Sequence, residues 1–60
     1  MKNKDSFFQV YAGLPLNLRN EVILVVNDEP ITWRVAYLEI KGETKLGKRI
    51  LEKLKALKFI

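Results

Sequence analysis

Sixty residues with no cysteine and no histidine make one domain near the lower size limit for independent folding, without disulfides or the usual zinc ligands to brace it. Eleven Lys and Arg against seven Asp and Glu leave a net charge of +4, and no apolar run approaches the ~20 residues of a membrane span. Disulfide-stapled, metal-braced and membrane-spanning classes are thereby excluded, which leaves a second copy, a protein partner or an unusually well packed core as the support for so small a domain.

Taken in chain order, the first element is a helix from about Asp5 to Ala12. Asp5 is the candidate N-cap, and Phe7, Val10, Tyr11 and Leu14 recur at helical spacing. Gly13 suits a left-handed position ending that helix, and Pro15 suits the first residue of a short turn reaching Asn20. Glu21 to Val26 is the clearest strand, an unbroken and mostly β-branched run. Such a run predicts a strand covered on both faces, by its own helices or by another subunit. Asn27-Asp28-Glu29-Pro30 reads as a turn.

Ile31 to Ile40 supports two readings. With period two it is a strand; as a helix, Thr32 caps it and Trp33, Ala36, Tyr37 and Ile40 share a face. The preferred reading is a short pairing strand at Pro30 to Thr32 followed by a helix that Gly42 closes. Thr44 then caps a last helix to about Lys58, with Leu46, Ile50, Leu51, Leu54 and Leu57 on one arc and a basic opposite side. Gly47 lies on the apolar arc, and close approach by another backbone accounts for it. The expected fold is therefore a single α+β domain, 1–60, mostly helical: an N-terminal helix, one strand or short β-hairpin, then two helices ending in a basic amphipathic helix.

The charged start, Met1 to Asp5, and the short, broken apolar run after it predict no export signal. With the absence of cysteine, this makes a cytoplasmic location the expectation. A chain poor in Cys, His, Met and Gln and rich in Lys, Glu and Ile matches hyperthermophile composition.

Nucleophilic catalysis needs an activated nucleophile, a base and an orienting group. Ser6, Thr32 and Thr44 each have a simpler role at a helix start. Glu39 and Glu43 are four apart but lack a third ligand, and three scattered glycines make no phosphate loop. The sequence thus predicts no enzyme, no cofactor, no metal and no small-molecule substrate.

Two features point to a partner. Residues 1–40 hold four basic and five acidic groups, whereas residues 41–60 hold seven basic groups against Glu43 and Glu52. The plain reading of this basic segment is a solvated face that keeps the chain soluble; the functional one makes Lys41, Lys45, Lys48, Arg49, Lys53 and Lys55 the candidates for contact with nucleic-acid phosphates. Against that reading, lysines outnumber arginines and no aromatic residue interleaves with them in the chain. The second feature is surplus apolar surface. Trp33, Val35, Tyr37, Leu38 and Phe59, with Ile60, are the candidate protein interface, serving a homo-oligomer or another protein.

Three segments, Tyr11 to Arg19 (YAGLPLNLR), Glu29 to Ile40 (EPITWRVAYLEI) and Thr44 to Leu54 (TKLGKRILEKL), together resemble a group of short uncharacterised archaeal proteins. The resemblance spans most of the chain. It implies no activity, cofactor or site residue. Short proteins of this type are sometimes antitoxin-like partners of a neighbouring toxin, an analogy of size and context that the residues themselves do not carry. The leading expectation is accordingly a non-catalytic protein-interaction module, self-associating or antitoxin-like, and the alternative is nucleic-acid binding through the last helix.

Overall fold

The computed structural model describes residues 4–60; residues 1–3, which carry part of the charged start discussed above, lie outside the described residues. The chain forms a small α+β fold of helix, two-stranded hairpin and two further helices. Helix α1, Lys4–Ala12, buries Phe7 and Tyr11, spaced i and i+4 on one face. Asp5 sits within α1 as a first-turn acid and is not its cap; the helix dipole favours a carboxylate there. Gly13 is a second correction, because no glycine among the described residues has a positive φ. Its N–H instead donates to the carbonyls of Gln9 and Val10, at 3.3 and 3.2 Å, so the chain leaves α1 through a tightened turn. Pro15 precedes the 3-10 turn Leu16–Asn20 as its cap residue, with extended ψ, and is not its first helical residue.

Strand β1, Val22–Val26, pairs antiparallel with β2, Glu29–Thr32. Val26 lies opposite Glu29, so the loop is the two residues Asn27 and Asp28, with φ of 51° and 66°. Both are left-handed, the type I′ geometry that matches strand twist, and Asn and Asp tolerate it better than other non-glycine residues. Leu24 faces Ile31 and Val22 faces Thr32, so Ile23 is the extra residue of a bulge.

The ambiguous stretch resolves as β2 followed directly by α2, Trp33–Lys41. Thr32 ends one and caps the other: its hydroxyl accepts from the Val35 N–H at 3.1 Å. The Trp33 N–H donates to the Glu21 carbonyl at 3.2 Å, fastening the start of α2 to the base of the hairpin. Ala36 and Ile40 of α2 are buried, and Trp33 and Tyr37 are half-buried.

A three-residue corner joins α2 to α3, Lys45–Ala56. Gly42 closes α2 in a right-handed conformation, and the left-handed residue is Glu43, at φ 53°. Glu43 N–H donates to the Ile40 carbonyl and Thr44 N–H to the Glu39 carbonyl, at 3.1 and 3.2 Å, which is a Schellman motif. Thr44 then caps α3, accepting from the Gly47 N–H at 2.9 Å. The same motif ends α3: Phe59 N–H donates to the Leu54 carbonyl and Lys58 N–H to that of Lys55, with Lys58 left-handed at φ 63°.

The core joins Phe7 and Tyr11 of α1, Val26 and Ile31 of the hairpin, Ala36 and Ile40 of α2, and Ile50, Leu51 and Leu54 of α3. Helix α2 is the hub, packing on α1, the 3-10 turn, β2 and α3. Leu57, expected on the apolar arc of the last helix, is its C-cap residue and is exposed. Ile60 folds back against the core, whereas its neighbour Phe59 is exposed.

Candidate interaction surface

The sheet has two strands, so each strand has an outer edge. The edges differ in chemistry. On β2 the outer edge carries Pro30. Val25 and Pro30 face each other next to the turn-closing pair Val26 and Glu29. Hydrogen-bonded and non-bonded pairs alternate along an antiparallel ladder, and the pair flanking a two-residue turn is the bonded one. Val25 and Pro30 are then the non-bonded pair. The missing N–H of Pro30 falls on the outer edge of β2, where it costs the ladder nothing and blocks a further strand.

By the same alternation, the N–H and C=O of Val25 point to the outer edge of β1. No backbone or side-chain group among the described residues bonds to them. This edge carries no charge and no proline, and Val22 and Val25 are each 55% exposed. The run read as covered on both faces turns Val26 and Leu24 towards the core and leaves Val22 and Val25 exposed within this chain.

The expected interface residues divide in two. Trp33 and Tyr37 belong to an aromatic cluster: the Trp33 ring lies 5.9 Å from that of Phe7, and the Tyr37 ring lies 4.4 Å from Tyr11 and 5.7 Å from Phe8. Leu38 is 58% exposed, Phe59 48%, and Val35 sits at the margin of exposure. Val35 and Leu38, spaced i and i+3, lie on the outer side of α2. The 3-10 turn that packs on α2 adds exposed Leu16 and Leu18.

Lys41, Lys45, Lys48, Arg49, Lys53 and Lys55 are all exposed. On α3 the five cations span about 160° at 100° per residue, opposite Ile50 and Leu54. Glu52 stands in the middle of that arc. Arg49, Glu52, Lys53 and Ala56 line a shallow groove of about 470 Å³. None of these cations is ion-paired among the described residues.

Of the groups considered for chemistry, Ser6 is exposed within α1, and the others are engaged in structure. Thr32 and Thr44 cap helices. Thr44 Oγ1 also donates to the Glu39 carboxylate at 2.6 Å. Glu43 accepts from Lys4 Nζ at 3.1 Å, and this hydrogen bond and charge hold its carboxyl below the usual carboxylate range. No cluster of three potential metal ligands occurs among the described residues, nor is any of their helices long and apolar enough to cross a membrane.

One grouping escaped the sequence reading. Phe8, Tyr11, Ala12, Arg19, Tyr37 and Lys41 line a cleft of about 480 Å³ between α1, the 3-10 turn and α2. The Arg19 guanidinium lies over the Tyr11 ring, 4.4 Å from its centroid, and Lys41 Nζ lies 5.6 Å from that of Tyr37. The Tyr37–Lys41 pair was readable as i, i+4 on one helix. The Tyr11–Arg19 pair was not, because it requires the 3-10 turn to fold back on α1. Compared with known proteins, the chain matches no family model, no curated protein and no solved structure.

Proposed function

We propose that this protein is a non-catalytic interaction module that associates with a second copy of itself through the outer edge of β1. One observation carries the reading: an uncharged, proline-free strand with exposed valines and unbonded backbone, paired on its other side with a strand whose own outer edge is blocked by Pro30. Unprotected edges of this kind pair with other strands, and this sequence protects one edge and leaves the other open.

Charge selects the occupant and its direction. The hairpin tip carries Asp28 and Glu29, whereas near the base Arg34 offsets Glu21 and the Arg19 guanidinium is turned onto Tyr11. Antiparallel two-fold pairing of β1 with β1 keeps the two acidic tips apart. Parallel pairing sets them side by side. The product is a four-stranded sheet with Pro30 near each outer margin. The test is isotope-filtered NMR on an equal mixture of labelled and unlabelled protein. Cross-copy contacts among residues 22–26 are expected at millimolar concentration; their absence, or their appearance on α3 alone, contradicts the proposal.

A second reading rests on the unpaired cations of α3. A helix face turned from the core, bearing Lys45, Lys48, Arg49, Lys53 and Lys55 with Lys41 beside it, fits sequence-independent contact with nucleic-acid phosphates. Its signature is an affinity whose logarithm falls linearly with the logarithm of salt concentration. Replacing Lys48 and Arg49 together by Gln reduces that slope; an unchanged slope rejects this second reading.

A further inference from the structure

The cleft between α1 and α2 holds two cations that no carboxylate of the described residues neutralises. Arg19 Nη2 donates to the Tyr11 carbonyl at 3.3 Å, while its Nε is buried and has no hydrogen-bond partner. Lys41 has its ring contact and no ion pair among the described residues. A buried, unpartnered charged donor is costly, and an acceptor reaching the guanidinium would offset that cost. The lining contains no acid. The hydroxyls of Tyr11 and Tyr37 make no hydrogen bond within the described residues, although the rings pack edge to face at 4.4 Å.

We propose that this cleft binds a small phosphate monoester carrying a planar ring, with a mononucleotide as the type of ligand. Two positive charges on one aromatic platform match a dianionic phosphate, and the planar guanidinium has the geometry that oxyanions take. The two phenols add donors. The volume of about 480 Å³ exceeds what a bare phosphate fills and lies within the usual range of small-molecule sites. Half-buried Phe8 and Tyr37 supply the apolar wall against which a flat ring lies. Lys41, which stands beside the basic face of α3, also lines this cleft. The site stands on residues distinct from the edge of β1.

The test is amide-resolved NMR titration of the full chain with adenosine monophosphate, adenosine and inorganic phosphate. Saturable shifts at Tyr11, Ala12, Arg19, Tyr37 and Lys41 are expected with the monophosphate, and binding weaker by roughly tenfold or more with either fragment. Lys41→Met, at an exposed position, weakens binding several-fold and leaves the thermal midpoint of the free protein unchanged. Arg19→Lys keeps the charge, loses the planar fork, and weakens binding as well. The proposal is overturned by no saturable shift at up to about 10 mM ligand, by shifts confined to α3, by adenosine or phosphate binding as tightly as the monophosphate, or by full affinity in Lys41→Met.

Discussion

Gly47 and Glu39 meet backbone to backbone at the corner between α2 and α3. A Cβ placed on Gly47 collides with the Glu39 carbonyl oxygen and comes within 2.6 Å of the carbonyl carbon and 2.9 Å of the Ile40 nitrogen. The absent side chain therefore sets how closely the two helices approach. Thr44 works at the same corner, capping α3 and donating to the Glu39 carboxylate.

Gly47→Ala tests that relationship. Alanine gains about 1 kcal/mol in helix propensity, but here it must push apart backbone that has no free rotamer to yield, an overpacking cost of about 1–3 kcal/mol or more. The expected result is net destabilisation, read as a lower urea midpoint at unchanged slope, since the unfolded state is little altered. A rise in the midpoint contradicts the close approach.

Glu43 gives the stability a pH dependence of known sign. Its carboxyl is held below the ordinary range by the Lys4 hydrogen bond and charge. A depressed folded-state value contributes stability above the unfolded value and loses it as pH falls through the folded value. The stability advantage of the natural chain over Glu43→Gln therefore shrinks as pH drops below about 4. Paired thermal melts between neutral and acidic pH measure it. An advantage that is constant, or that grows in acid, refutes the Lys4 pairing.

Lys58 holds the left-handed position of the second Schellman motif at φ 63°, a conformation that costs most residues energy and glycine almost none. Lys58→Gly is expected to stabilise the fold by about 0.5–1 kcal/mol, less the greater entropy of glycine in the unfolded chain. Differential scanning calorimetry reads the change, and a clear loss of stability places the helix end elsewhere.

These residues also show which parts of the fold were legible. Helix α3 was readable because Thr44, Leu46, Ile50, Leu51 and Leu54 combine a cap with a period near 3.6, and Gly47 stood out as a flaw in that stripe with a packing reason. The hairpin was readable from the β-branched run and the Asn-Asp turn. At Ile31 to Ile40 the residue types favour a strand, while the Thr32 cap and the spacing of Trp33, Ala36, Tyr37 and Ile40 favour a helix. The preferred division at Thr32 is the observed one, with the Thr32 hydroxyl accepting from Val35. The left-handed positions were misplaced because glycine marks them only on average. Here the hydrogen bonds of the two Schellman motifs force Glu43 and Lys58 into them, while Gly13 and Gly42 stay right-handed or extended. The exposed edge of β1 and the Arg19–Tyr11 contact depend on how separated elements pack, which no local pattern encodes.

Sedimentation equilibrium on the natural chain and on Val25→Lys tests the self-association of β1 most directly. Val25 is exposed within the chain, so lysine leaves the core intact while placing a charge on the open edge. A dimer for the natural chain, converted to monomer by Val25→Lys with a retained far-ultraviolet spectrum, is the predicted result. A natural chain that stays monomeric at millimolar concentration, or a Val25→Lys variant that dimerises as strongly, contradicts it.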